Sequence, residues 1–359
     1  MIPEEKEHCC CHGEGHSHED GHCCHNHEHG AEEEHHCCHN HEHGAEGGHH
    51  CCCHHGHDAA AEAVNLYNLI NDTLAKYDTS IGDEQAYHAA AGIVEKHAAA
   101  NNTADVKRFL LGAVELTSLK VTDNEESILA MVEKVNGFAD AYPELPNVAA
   151  VCTYPNYASL ISQSLEADEV SVTCVCGGFP SSQMLPEIKC VETSLALKDG
   201  AEEIDTVLPV GKFLSGDYES IAEDLTEMKD ICGSRKLKVI LETGALQSAA
   251  NIKKAAIFAM YCGADFIKTS TGKISVGATP AAVYVMCTAI KDYFDKTGNR
   301  TGIKIAGGVK TVEDAVAYYT IVKETLGSEW LTHDLFRIGA SSLANTLISD
   351  LTDGNANYF

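Results

Sequence analysis

The chain is short of positive charge, of long apolar runs and, past its first 58 residues, of histidine. Lys and Arg number 25 against 53 Asp and Glu, a formal net charge of −28, which argues against the phosphate-neutralising surface that a nucleic-acid partner needs. No stretch approaches the roughly 18 consecutive apolar residues of a membrane-spanning helix, so no membrane is expected as partner. The opening Met1-Ile2-Pro3-Glu4-Glu5 has neither the basic n-region nor the apolar h-region of a secretory signal. A cytoplasmic location is the expectation. The seven cysteines after residue 58, with Cys174 and Cys176 on what reads as one strand, fit reduced thiols better than a disulfide framework.

The first 58 residues hold 10 of the 17 Cys and 18 of the 21 His. His-Cys-Cys recurs from His8, His22, His36 and His50, a spacing of 14 each time, and two units share His-Cys-Cys-His-Asn-His-Glu-His-Gly-Ala-Glu. The repeat has almost no large apolar residue, so it buries no core and reads as a disordered tail. Thiolates beside imidazoles are ligands for zinc, copper or nickel; Cys9, Cys10, His22, Cys23, Cys24, His25, His36, Cys37, Cys38, His39, Cys51 and Cys52 are the candidates. Ligand number alone caps the tail at roughly seven four-coordinate ions.

Residues 59–104 read as a helical extension. Leu66, Leu69, Ile70, Leu74 and Tyr77 mark one helix face, and Tyr87, Ala90, Ala91, Val94 and His97 mark a second helix after a turn at 80–83. His88 and His97 read as helix-surface residues rather than ligands.

From 105 to 359, short β-branched runs alternate with longer helical patterns, which argues for a parallel sheet covered by helices. Eight strands are expected at 113–119, 148–154, 169–176, 203–210, 237–242, 265–270, 302–306 and 335–339. Eight such units over this length imply a (β/α)8 TIM barrel, whose chemistry sits where the strands end. Glu115, Thr117, Cys152, Asp205, Lys238, Lys268, Lys304 and Gly339 all fall in or near a strand's second half. An open doubly wound sheet would read Gly307-Gly308 as a nucleotide turn, but no full Gly-x-Gly-x-x-Gly accompanies it.

Lys268 and Lys304, 36 residues apart, each sit on a strand between apolar neighbours that belong in a core. Facing one cavity at about 4 Å and an effective dielectric near 20, two ammonium groups repel by about 4 kcal/mol. That is enough to free one amine near neutral pH, and a neutral lysine in a closed pocket is the nucleophile of Schiff-base chemistry.

Several segments together resemble the deoxyribose-phosphate aldolase family, class I aldolases on a (β/α)8 barrel. They are Ala149–Pro155, Gly200–Asp205, Lys238–Gly244, Gly263–Lys273, Gly302–Gly308 and Arg337–Ser342; their order and spacing carry the resemblance, which leaves out the tail and the helical extension. It implies reversible cleavage of 2-deoxy-D-ribose 5-phosphate to D-glyceraldehyde 3-phosphate and acetaldehyde, a small phosphorylated sugar as substrate, and no cofactor for catalysis. By the same resemblance Lys268 is the Schiff-base nucleophile, Lys304 the second lysine that depresses it, and Asp205 the acid/base group. Thr117, Cys152, Thr271, Gly272, Lys273, Gly307, Gly308, Gly339, Ser341 and Ser342 would line the substrate and phosphate site, where backbone N–H groups after strands seven and eight point at an anion.

The scarcity of barrel histidine speaks against metal-assisted aldol chemistry, because only His333 lies within the barrel. Three residues depart from the family: Glu115 replaces an Asp, Ile305 replaces a Pro or Ala, and the chain ends one residue past Tyr358, which would serve as a proton relay if it folds over the mouth. Two other readings compete, a class I aldolase for another phosphorylated sugar and a metal-storage protein on a barrel scaffold. A homodimer is a further expectation.

Overall fold

The computed structural model describes residues 70–359. The tail's candidate metal ligands, together with Leu66 and Leu69, lie outside these residues.

Eight strands close into one all-parallel barrel in chain order, with β8 pairing back onto β1. They are β1 Val114–Thr117, β2 Ala150–Thr153, β3 Ser171–Cys176, β4 Glu203–Val207, β5 Lys236–Ile240, β6 Phe266–Lys268, β7 Gly302–Ala306 and β8 Phe336–Ala340. Closure removes every sheet edge, which disposes of the open doubly wound alternative. The main helices on the outside are α1 Asp83–Asn101, α2 Ala104–Gly112, α3 Glu125–Asn136, α4 Ala158–Ser164, α5 Pro186–Lys198, α6 Tyr218–Cys232, α7 Ala249–Tyr261, α8 Pro280–Thr297, α9 Val312–Leu326 and α10 Leu343–Leu351. Local chemistry sets their starts: Asn124 and Ser127 exchange capping bonds at α3 (2.8 and 3.0 Å), and Thr279 caps α8 ahead of Pro280.

Alternation along each strand sorts the residues. Val151, Ile204, Val239, Ile267, Ile303 and Ile338 point outward and are buried in the apolar layer between sheet and helices. Inward-facing residues stack in layers of four drawn from alternate strands, as barrel geometry requires. One layer is Glu115, Thr173, Lys238 and Lys304; above it, toward the strands' C-terminal ends, stand Cys152, Asp205, Lys268 and Gly339; below it lie Ala150, Glu203, Phe266 and Arg337. A barrel lumen is ordinarily filled by branched aliphatics. This one is filled largely by ionisable groups.

Residues 70–104 of the expected helical extension pack on the barrel. Leu74, Tyr77, Ala86 and Ala90 belong to the main core. Asp83 accepts the N–H of Ala249 at the start of α7 (2.6 Å), and Asn101 is bonded to Thr320 (3.0 Å) and Lys323 (2.8 Å) of α9. The expected face of α1 is turned by about one residue: Tyr87 and Ala91 are exposed, while Ala86 and Ala90 are buried and Ile93 and Val94 are half-buried against the core. The pattern of small Ala side chains gave too little contrast to fix that phase.

Candidate active site

Strand register brings the ionisable residues together. Lys268 and Lys304 are partners across β6 and β7, and Asp205 and Lys238 are partners across β4 and β5. Asp205, fully buried, accepts from Lys268 at Oδ2 (2.7 Å), from Lys304 at the same oxygen (2.6 Å) and from Lys238 at Oδ1 (3.1 Å). Glu115 accepts from Lys304, Lys238 (3.2 Å) and Arg337 (3.4 Å). Glu203 accepts from Lys238 (2.5 Å) and Arg337 (3.3 Å), and Thr173 Oγ1 completes the shell of Lys238 at 3.2 Å.

The buried array thus holds four cationic side chains, Lys238, Lys268, Lys304 and Arg337, against three carboxylates, Glu115, Glu203 and Asp205. Lys236 also reaches Glu203, at 3.6 Å, but is partly exposed and brings its own partner, Asp334. With Lys268 uncharged the two buried sets match. In a low-dielectric lumen an excess charge is expensive, and the group that gives way is the one with fewest carboxylates around it. Lys268 touches only Asp205, and its pKa is lowered by burial, with Asp205 opposing and the charge of Lys304 adding to the fall. Burial pulls Lys304 the same way, but Asp205 and Glu115 outweigh it and raise its pKa. Lys238 is raised likewise, burial being overcome by Asp205, Glu115 and Glu203. Burial opposes the ionisation of Asp205, yet the three lysines hold it well below the usual carboxylate range. The repulsion between the two lysines expected from the sequence is present, second to burial as a lowering influence.

Above Lys268 opens a cavity of about 260 Å³. Its wall includes Thr117, Thr271, Gly272, Lys273, Gly307, Gly308, Gly339, Ser341 and Ser342, all of which the sequence nominated. Gly307, at φ 91°, lets the chain turn where a side chain would press on Gly277 (3.1 Å to its Cα). Ser341 and Ser342 stand at the start of α10, where free N–H groups favour an anion. Lys120 and Lys310 line the same cavity and were not nominated. Lys273 donates its ammonium to the carbonyl of Leu119, tying the β6 loop to the β1 loop, and Thr271 is held by Glu242 (2.5 Å).

Cys152 does not line the open cavity but stays in the lumen layer of Asp205 and Lys268, fully buried, and burial raises its thiol pKa. Tyr358 is not at the mouth. Its hydroxyl donates to the carbonyl of Lys134 near the end of α3 (2.9 Å), and its ring packs on Phe138, Tyr142 and Phe359, because the apolar pair ending the chain finds an aromatic cluster there. His333 stacks on Phe109, outside the array. Glu115, Cys152 and Asp205 offer ligand atoms within 4.8 Å of one another, but the ammonium groups of Lys238 and Lys304 already occupy the carboxylates and repel a cation.

Sequence reasoning placed Lys238 near a strand end without a role and passed over Glu203, Arg337 and Thr173. The available signal was a charged residue between two apolar strand neighbours, as in Leu237-Lys238-Val239 and Phe336-Arg337-Ile338.

Residues 114–348 match the model of the DeoC/LacD family of aldolases. A Caenorhabditis elegans protein provisionally named a deoxyribose-phosphate aldolase is 36% identical over 297 residues, 80% of this chain and 98% of its own. The deoxyribose-phosphate aldolase of Mus musculus is 46% identical over 201 residues, covering 55% of this chain and 63% of the mouse protein. Among solved structures, a provisionally named deoxyribose-phosphate aldolase from Toxoplasma gondii is similar at a TM-score of 0.61 and 27% identity, covering 70% of this chain and 94% of that one.

Proposed function

Because this chain belongs to the DeoC/LacD family of aldolases, we propose that it is a class I aldolase that reversibly cleaves 2-deoxy-D-ribose 5-phosphate. The observation that carries this reading is Lys268, buried, lowered in pKa and placed at the floor of a cavity whose far wall suits a phosphate.

In the cleavage direction the neutral Nζ of Lys268 adds to the C1 aldehyde of the open-chain sugar and water leaves, giving a protonated imine. The 3-hydroxyl gives up its proton, the C2–C3 bond breaks, and its electron pair moves into the iminium. D-Glyceraldehyde 3-phosphate departs; the enamine on Lys268 takes a proton at C2 and is hydrolysed to acetaldehyde. Asp205, 2.7 Å from Lys268 and held ionised by three lysines, is the group positioned to accept and return these protons. Lys304 stays charged on the same carboxylate oxygen, so it keeps Asp205 anionic and Lys268 nucleophilic. The phosphate would sit against Gly272, Gly307, Gly308 and the start of α10, with Lys120, Lys273 and Lys310 around it.

A coupled assay for glyceraldehyde 3-phosphate release from deoxyribose 5-phosphate tests the reading. Turnover by the chain and its loss in Lys268→Met are expected; a wild-type chain inactive on this substrate would contradict it.

We further infer that residues 1–58 bind soft or borderline metal ions such as zinc, copper or nickel, on the strength of the 14-residue Cys/His repeat. Deleting them should abolish metal uptake and leave turnover unchanged. Among the described residues no helix is long and apolar enough to cross a membrane. The seven described cysteines are free thiols, which suits the reducing cytoplasm.

A further inference from the structure

Glu242, which follows β5, has left-handed backbone angles, φ 54° and ψ 58°. Glycine adopts such angles freely, and a residue with a Cβ adopts them at a cost. The residues on either side are pinned to β6 and its continuation: Leu241 donates its N–H to the carbonyl of Lys268 (2.8 Å), and Thr243 donates to that of Thr269 (2.9 Å). The chain thus advances two residues here against one on the neighbouring strand, the kind of step by which a bulge re-aims a side chain. Strain of this kind, fixed by its surroundings, points to function.

The side chain of Glu242 serves the cavity without entering it. Glu242 is 5% exposed and is absent from the cavity wall. Both its carboxylate oxygens go to one residue that does line the wall: Oε1 accepts the N–H of Thr271 (3.2 Å), and Oε2 accepts its hydroxyl proton (2.5 Å). Thr271 Oγ1 in turn accepts the N–H of Lys273 (3.0 Å). A threonine hydroxyl has one proton to give. That proton goes to Glu242, so Thr271 shapes the turn and does not donate its hydroxyl to a ligand. Between the two held amides lies Gly272, at φ 73°, whose N–H has no acceptor among the described residues. Of three successive amides, the outer two are bonded within the chain and the middle one is left for an anion.

We propose that Glu242 is a positioning residue for the phosphate end of the substrate. From behind the wall it fixes the turn at 271–273 that presents the Gly272 amide, and none of its bonds reaches Lys268, Lys304 or Asp205. Its effect therefore falls on affinity for the phosphorylated sugar and not on the carbon–carbon bond step. This role rests on the aldolase reading above.

Steady-state kinetics of the full chain on 2-deoxy-D-ribose 5-phosphate and on 2-deoxy-D-ribose separate this role from support of the fold. Glu242→Gly suits the backbone angles and removes both acceptors. It should raise KM for the phosphorylated sugar about tenfold at unchanged kcat, and leave kcat/KM for the free sugar at the wild-type value. Glu242→Gln keeps one acceptor oxygen and should fall between the two, and it carries the same comparison if Glu242→Gly does not fold. An unchanged KM, or a loss shared equally by the two sugars, would overturn the proposal. A wild type inactive on both sugars would count against the aldolase reading instead. Titration calorimetry with inorganic phosphate then reads the site without turnover: binding about tenfold weaker in Glu242→Gly is expected, and equal binding, or none by the wild type, would overturn the role of Glu242.

Discussion

Lys268 and Lys304 donate to one and the same oxygen, Oδ2 of Asp205, at 2.7 and 2.6 Å. Two ammonium groups on one oxygen repel strongly, and the rest of the array decides which yields. Lys304 has Glu115 as a second carboxylate and Lys268 has none. Glu115, a residue of the first strand, thus contributes to the asymmetry by which the pKa of Lys304 is raised while burial lowers that of Lys268.

Replacing Lys304 by Leu removes a positive charge from beside Lys268 and leaves Oδ2 of Asp205 to it alone. The cation lowers the Lys268 pKa, so its removal raises it, and imine formation should require a higher pH. Trapping efficiency against pH checks this; a profile shifted to lower pH would contradict the assigned roles.

Glu115→Gln breaks a buried ionic cluster, leaving Lys238, Lys304 and Arg337 short of one anion. A loss of about 3–5 kcal/mol in unfolding free energy is expected. Glu115→Asp keeps the charge with a shorter reach and should lose less. Urea denaturation of the two variants gives the comparison.

Glu203 answers to acid. Burial works against its ionisation, but Lys238 and Arg337 bring its pKa down from 4.5 to about 2. A carboxylate depressed on folding stabilises the protein above its unfolded pKa and loses that contribution as pH falls through the folded value. The contribution is about 3 kcal/mol at neutral pH. The stability gap between wild type and Glu203→Gln should be widest at pH 7 and close progressively between pH 4.5 and 2.

Gly339 gives Lys304 its room. A Cβ there would sit 3.1 Å from Lys304 Cε and 3.1 Å from Ala306 Cβ. Gly339→Ala should cost about 1–3 kcal/mol of stability through overpacking and lower kcat by displacing Lys304. Thermal unfolding and steady-state kinetics together read both effects.

The fold was legible because strand runs such as Val148–Tyr154 and helical stretches alternate eight times. The expected strands overrun the observed ones by one or two residues, notably at Ser118–Leu119 and Thr269–Ser270, where the chain turns from the ladder into the loops above the barrel. Lys268 and Lys304 stood out as charge in apolar company, and Asp205 was singled out by the family resemblance. Lys238, Glu203 and Arg337 carry the same mark, but assigning them a role requires the stacking of layers across the lumen, which depends on contacts between residues up to 222 positions apart. The position of Tyr358 was illegible for a different reason: it is decided by which aromatic cluster has space for it, a property of the packed molecule.

The central claim is that the lone amine in this array is Lys268. Sodium borohydride added to the chain with deoxyribose 5-phosphate or acetaldehyde should reduce the imine and fix a single adduct, located by peptide mass spectrometry on Lys268. Labelling on Lys304 or Lys238 instead, or no substrate-dependent label at all, would contradict it.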